Sequence, residues 1–431
     1  MKVTILTKKY IKPATRTPPN LRRYKLSALD ELIPPMNMSV ILFYPPNPKP
    51  DTKPEPQQTL PHILTRFYPF AGRYLQNNLS IDCNDEGAEF VEAELPGLDL
   101  ATFLSKTEKD GLDCLLSRTT YEADNPDDPI LSVQITNFPE CGGRAVGISL
   151  SHRVSDASSL GTFVSAWAHA EKKTVVPTFE GTSIFPSTGL APQQRVQGQT
   201  QTRKTEGAQT SAVGSVAVRG LRFGREAVSR LRSELGPESR VRLASAFVAK
   251  ALLKIELAKD GRACYLGQGV NMRSRTVPPL GSHACGNFVY QAVVRCMEAG
   301  GAWEPGLDEL VRVVGGSIEK AVGECGRVML LDGERRVEMV RRPLEKLFEM
   351  GARGENFVAI WFTDWSKFGF YEADFGWGKP VWVRVGNVRT ENLTILMEDR
   401  EGGGIEAWVH LSHEDVPAFE SDDDIKLFLV A

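Results

Sequence analysis

Apolar and polar residues alternate over Val3–Lys8, the period of a half-buried strand. Pro13–Asn20 is rich in turn formers, and the proline-dense stretch Pro45–Pro56 predicts a loop. Leu64–Tyr74 opens with helical character, but Pro69 and Gly72 end it, so a helix running into a turn and a strand is expected. Leu79–Cys83 and Glu89–Glu92 read as paired strands turned by Asn84–Gly87. Pro129–Phe138 and Arg144–Leu150 read as a hairpin across Pro139–Gly143. After Arg153 the period lengthens. Leu160, Phe163, Val164 and Trp167 recur at helical spacing, with Ser155 or Asp156 where an N-cap belongs.

The residues from about Ser183 to Ala212 interrupt this pattern. They are rich in Gln, Thr, Gly, Ser and Pro and nearly lack large apolar side chains. About thirty such residues are unusual within a compact unit, so they predict a crossover between two domains. Beyond them, Glu226–Leu235, Leu243–Leu257, Asp308–Val322 and Arg335–Met350 read as amphipathic helices. Leu393–Asp399 and Ile405–Leu411 flank Gly402–Gly404 as a further hairpin. Strands alternate with helices in both halves, which predicts a mixed α/β architecture. A chain of 431 residues also exceeds what one core usually serves. The expected division is an N-terminal domain over 1–182, a linker over 183–212 and a C-terminal domain over 213–431.

Composition narrows the function. The formal net charge is −3, so no global basic field gathers nucleic acid. Local clusters such as Arg335/Arg336 and Arg341/Arg342 fit the solvated face of a helix. The seven cysteines are odd in number and none lie at CxxC spacing, which indicates neither a zinc knuckle nor a disulfide framework. Reduced thiols point to the cytosol. The start MKVTILTKKYIKP reaches Lys8 and Lys9 after an apolar run too short for a signal peptide, and no stretch approaches a membrane span. A cytoplasmic monomer with no membrane or nucleic-acid partner is expected.

Two segments carry candidate chemistry. In Ser151-His152-Arg153-Val154-Ser155-Asp156, His152 follows directly on a strand, where a scaffold can aim its ring into a cleft. A histidine that merely neighbours a helix cap fits the same spacing. A metal reading of His152-x-x-x-Asp156 needs one continuous helix and a third ligand, and the strand-like VGISL before it speaks against the helix. Gly147–Ser151 lacks the closing glycine of a nucleophile elbow, Gly378-Lys379 runs into Pro380, and Gly267-Gln268-Gly269 lacks a third glycine. A hydrolase triad, a Walker loop and a dinucleotide fingerprint are therefore not indicated. The second segment, Tyr371–Pro380, sets glycines around Trp377 and suggests a tight loop holding one aromatic side chain, with architecture as the alternative to chemistry.

Together the two segments resemble the BAHD acyl-CoA-dependent acyltransferases of plants. His152 and Asp156 match the family's HxxxD, and Asp374–Gly378 matches its DFGWG. FYPFAGR at Phe67–Arg73, CNDEG at Cys83–Gly87, NMRSRTVPPL at Asn271–Leu280, Gly286-Asn287, and GIEAWVHL at Gly404–Leu411 add to the resemblance. YEADFGWGKPVWV, with AGRY and CNDEGAEF, is similar to the branch that contains vinorine synthase.

The resemblance implies two similar halves, each like a chloramphenicol acetyltransferase protomer, with a channel between them and roughly residues 375–398 exchanged into the first half. It implies acyl-CoA as co-substrate, a small alcohol as acceptor and no cofactor or metal. It further implies His152 as general base, Asp156 turned away to pair with an arginine, and Trp377 as a candidate oxyanion donor through its indole N–H. Asp374 is implied as an anchor, with Arg273 or Arg275 as possible partners. Ser245 and Lys250 are candidates for the donor's phosphates. An acetyl donor and an alkaloid or terpenoid acceptor are expected, with acylsugar-forming and hydroxycinnamoyl-type transfer as alternatives. A non-catalytic binding protein and a thioester hydrolase are the remaining readings.

Overall fold

The computed structural model describes residues 2–47, 53–106, 112–119, 125, 127–172, 174–189, 216–259, 262–298, 300, 305–388 and 390–430. The linker expected over 183–212 lies outside the described residues from 190 onward. The strands of the first part are β1 (Thr4–Ile11), β2 (Arg23–Lys25), β3 (Asn37–Tyr44), β4 (Arg73–Leu75), β5 (Ser80–Asp82), β6 (Ala88–Glu94), β7 (Leu131–Phe138) and β8 (Gly143–Ser151). Those of the second are β9 (Val216–Phe223), β10 (Ala263–Asn271), β11 (Val289–Met297), β12 (Phe357–Asp364), β13 (Trp382–Val385), β14 (Leu393–Glu398) and β15 (Ile405–Ser412).

Among the described residues these strands form two six-stranded sheets, ordered β1-β6-β7-β8-β3-β13 and β11-β10-β12-β14-β15-β9, and a three-stranded sheet β2-β5-β4. Both large sheets are mixed: β6 and β7 run parallel in the first, and β12 runs parallel to β10 and β14 in the second. Helices pack against them, as the alternating sequence pattern predicts. Among the described residues no helix is long and apolar enough to cross a membrane.

The two expected hairpins form, β7 against β8 and β14 against β15. Other expectations are corrected. Leu79–Cys83 does not pair with Glu89–Glu92: β5 joins the small sheet, whereas β6 lies between β1 and β7. The helix expected near Leu64 spans Pro56–Arg66. Pro56 at its start gives up no helical hydrogen bond, and Leu60, Ile63 and Leu64 supply the buried stripe.

The piece exchanged between halves is shorter than 375–398. Of the two strands in it only β13 crosses, pairing with β3 through Trp382↔Phe43 and Arg384↔Ile41, while β14 stays between β12 and β15 in the second sheet. The chain therefore crosses from β12 to β13 and back to β14. One face of the second sheet, with Ile395, Met397 and Trp408, shares a core with the first half. The alternate residues Leu396, Ala407 and Val409 pack with the helices Arg225–Leu235 and Arg240–Ala258. Trp382 donates its indole N–H to Glu406 at 3.2 Å, and the Arg384 guanidinium lies 3.4 Å from the Trp408 ring centre. Exchanged strand and second sheet are thus locked together.

His410 sits on the shared face, fully buried, with Nδ1 3.0 Å from the Leu393 carbonyl. Burial lowers its pKa to about 4. An unfolded histidine titrates near 6.5, so protonation below that pH favours the unfolded chain. Stability should fall as pH drops from about 6.5 toward 4, by up to about 1.4 kcal/mol per unit from this residue. Urea midpoints measured at pH 7 and pH 5 should differ less in His410→Leu than in the wild type.

Candidate active site

His152 is the first residue past β8, held there by a hydrogen bond from its backbone N–H to the Met36 carbonyl at 2.8 Å. The ring is partly buried. Its Nδ1 lies 3.0 Å from Asn287 Oδ1. The orientation of that amide is fixed by its other end, because Asn287 Nδ2 donates to Asp30 Oδ1 at 2.8 Å and to the His152 carbonyl at 2.7 Å. Both are pure acceptors, so the amide oxygen faces the imidazole and Nδ1 must carry the proton. The lone pair on Nε2 is thereby left for chemistry. Burial, the largest influence, lowers the ring's pKa from its ordinary value, against the opposing effect of its own backbone and of Asp156. At neutral pH the imidazole is an uncharged base.

Asp30 anchors this arrangement from behind. It is fully buried, and its second oxygen accepts from the Ser27 N–H at 2.8 Å and the Ser27 hydroxyl at 2.7 Å. Burial raises its pKa, opposed by the bonds from Ser27 and Asn287. Sequence reasoning did not find Asp30, which nothing in Leu29-Asp30-Glu31 marks out. It noticed Gly286-Asn287 only as a motif match, without a role.

Asp156 faces away from His152. It caps the helix Ala157–Ala168 by accepting from the Ser159 N–H at 2.9 Å. Its carboxylate takes both terminal nitrogens of Arg273, at 2.7 and 2.9 Å, and the Phe288 N–H at 3.0 Å. Arg273 also donates to the carbonyls of Ala284 and Gly286, and Asp156 N–H donates to Gly286. Gly286 adopts φ +141°, which favours glycine. The loop 284–288 is thus pinned so that Asn287 meets His152.

The second motif lies elsewhere. Asp374 Oδ1 accepts the N–H groups of Gly376 at 2.8 Å and Gly378 at 3.0 Å, and Oδ2 is 3.4 Å from Lys53 Nζ. Partial burial pushes its pKa up, but the Gly376 amide, Lys53 and the Gly378 amide hold it below the ordinary value. The expected pairing with Arg273 or Arg275 is corrected. Arg273 belongs to Asp156, and Arg275 donates to the Asn271 carbonyl at 2.6 Å. Trp377 packs edge-on against Tyr44, with the Arg144 guanidinium 4.4 Å from its ring centre. Tyr44 pairs with Arg144 at one end of β8, whereas Asn37 pairs with Ser151 at the other. Seven residue steps separate Arg144 from Ser151, roughly 23 Å of strand. Trp377 is therefore no oxyanion donor for chemistry at His152.

Both phosphate candidates sit on the helix Arg240–Ala258. Ser245 is fully buried in the helix Arg240–Ala258, beyond reach of a charged ligand. Lys250 bonds Asp424 at 2.9 Å in a cleft of about 100 Å³ that also holds Lys254 and Asp422.

A neutral imidazole with a free Nε2, backed by a buried amide and carboxylate, is the equipment of a general-base catalyst acting on a hydroxyl. The Transferase family model matches residues 1–425. The chain belongs to this family, the plant BAHD acyltransferases, and is an O-acyltransferase. It is 38% identical to the pelargonidin 3-O-(6-caffeoylglucoside) 5-O-(6-O-malonylglucoside) 4'''-malonyltransferase of Salvia splendens, over 100% of both chains. It is 30% identical to a limonoid 21-O-acetyltransferase of Melia azedarach, over 99% of this chain and 97% of the relative. Vinorine synthase of Rauvolfia serpentina is 31% identical over 95% and 94%. The crystal structure of vinorine synthase superposes with a TM-score of 0.81 and 28% identity, covering 99% of this chain and 98% of the other.

Arg273→Ala and Asp156→Ala should each strand a buried charge and cost ~3–5 kcal/mol. The double variant should cost far less than their sum. Lys53→Ala, which removes a partly exposed partner of Asp374, should stay within about 1 kcal/mol of wild type. Denaturant unfolding of the four proteins checks all three statements.

Proposed function

We propose that the enzyme moves an acetyl group from acetyl-CoA directly onto a hydroxyl of a small plant specialised metabolite, an alkaloid or terpenoid alcohol, within a ternary complex. The observation that carries the mechanism is the tautomer of His152 fixed by Asn287. Nε2 takes the hydroxyl proton as the alcohol oxygen bonds to the thioester carbonyl. The tetrahedral intermediate collapses by breaking the C–S bond, and His152 returns the proton to the departing sulfur. A thiolate is a good leaving group, so activating the neutral alcohol is the demanding step, and a base in place contributes typically ~10²–10⁴-fold. Asp156 and Asp374 act through structure in this scheme. The scheme calls on no metal or organic cofactor.

The limonoid acetyltransferase supports acetyl transfer to a terpenoid alcohol. Arg273 is bound by Asp156 on both nitrogens, so it offers no counter-ion to an acyl group ending in a carboxylate. Malonyl transfer is the second reading, favoured by the similarity to the Salvia malonyltransferase. Acylsugar-forming and hydroxycinnamoyl-type transfer rank behind both.

His152→Ala should lose turnover by about 10²–10⁴-fold while keeping its melting temperature and coenzyme A binding. The lowered pKa sets the sign of the pH profile. The base stays neutral into mildly acidic solution, so kcat/KM should hold at pH 7 and decline only below about 6.5. A variant with near-wild-type kcat would remove His152 from the chemistry.

Thiol release measured with acetyl-, malonyl- and hydroxycinnamoyl-CoA, with and without an alcohol panel, separates the donor readings. Acetyl-CoA should give the highest kcat/KM, release should require the alcohol, and exhaustive chelation should leave the rate unchanged. Release without alcohol would show a hydrolase, and faster malonyl transfer would establish the second reading.

A further inference from the structure

A cavity of about 480 Å³ opens between the helices Pro56–Arg66 and Ala157–Ala168, on the side of the first half that carries Asp374. Trp167, which lines it, stands eleven residues along the second helix from Asp156, roughly 16 Å from the cap beside His152. The cavity is therefore separate from the reaction centre, and its size falls in the range of small-molecule sites, ~300–1,000 Å³.

Its chemistry is lopsided. Lys53, His62 and Arg66 line it, against Glu171 as its one acidic group among the described residues. His62 and Arg66 lie four residues apart, on one face of their helix. Of the five N–H donors of Arg66, one bonds the Val175 carbonyl at 2.6 Å, and no carboxylate pairs with the guanidinium among the described residues. Partial burial lowers the pKa of this group, with no neighbouring charge to oppose it. A partly desolvated cation that no carboxylate pairs with among the described residues favours an anion from outside. The walls are tied to one another. Trp167 donates its indole N–H to the Pro56 carbonyl at 3.0 Å and meets Phe375 edge-on at 4.9 Å.

We propose that this cavity is a second binding site, which takes a small molecule through a carboxylate or phosphate group held by Arg66. Phe375 and Lys53 belong to the loop of Asp374 and to its anchor, so an occupant touches the segment that leads into β13.

Calorimetric titration of the full chain at constant ionic strength tests the site, with sodium citrate and sodium phosphate as probes. Saturable binding of at least one is expected, and the stronger of the two tells carboxylate from phosphate. Arg66→Gln should weaken binding about tenfold, the effect of one lost charge-assisted contact. Glu171→Gln, which removes the cavity's own carboxylate, should tighten it roughly threefold. Both variants should keep wild-type kcat for acyl transfer, and coenzyme A should not displace the probe. The opposite signs keep the test decisive even if Arg66→Gln fails to fold. Absence of saturable binding, displacement by coenzyme A, or equal affinity in wild type and Glu171→Gln would each overturn the proposal.

Discussion

Asp156 and Arg273 meet across the two halves of the chain, with both carboxylate oxygens facing both terminal guanidinium nitrogens and almost no contact with water. A buried ion pair of this kind is a weak source of stability by itself, since removing two charges from water offsets most of their attraction. What distinguishes this one is that the remaining valences are filled. Ser159 and Phe288 donate to the carboxylate, and the carbonyls of Ala284 and Gly286 accept from the guanidinium. Neither charge has another place to go, so the pair specifies where the loop 284–288 lies. Asn287 is part of that loop, and its contact with His152 follows.

The identity of the group behind His152 matters as much as its position. A carboxylate placed directly on Nδ1 would favour the imidazolium and raise the ring's pKa. Here an amide stands between Asp30 and the ring. The amide orients the imidazole and fixes its tautomer, while the full charge of Asp30 is kept one residue away. Burial then outweighs the opposing effects of the ring's own backbone, Asp156 and Asn287, and lowers the pKa. The result is a base that is neutral when the alcohol arrives, which a directly charged partner would compromise.

Much of this was legible in the sequence because it depends on local pattern. The hairpin of β7 and β8 announced itself by two strand-like runs flanking the turn segment Pro139–Gly143, and the helix after His152 by its period and its Asp156 cap. The aim of Asp156 away from the ring followed from resemblance, and the structure gives it its partner. What was not legible depends on chain segments far apart in sequence. Asp30 and Asn287 are separated by 257 positions, and no spacing rule connects them. The same blindness misassigned Arg273 to Asp374, since both arginines of Asn271–Leu280 were equally available by sequence alone. Ser245 failed for a different reason. An N-terminal helix position suggests exposure, but this helix is packed on several sides, and tertiary burial overrides the local cue.

The distance between the two motifs gives the second one its meaning. Asp374 and Trp377 stand at the Tyr44 end of β3, and His152 hangs from Met36 at the other end of the same strand. Between them β3 is a ruler, held on one side by β8 and on the other by β13. The register of β13 is set by the loop that Asp374 closes, through the bonds to Gly376 and Gly378 and the Val381 N–H on the Phe43 carbonyl at 2.8 Å. A slip of one residue in such a pairing would turn every side chain of the strand to the opposite face. The backbone bond that places His152 is set apart from this, by the ladder of β3 and β8 that runs from Asn37↔Ser151 to Tyr44↔Arg144. The glycine-flanked loop therefore serves architecture: it fixes where β13 docks on β3, roughly one strand length from His152.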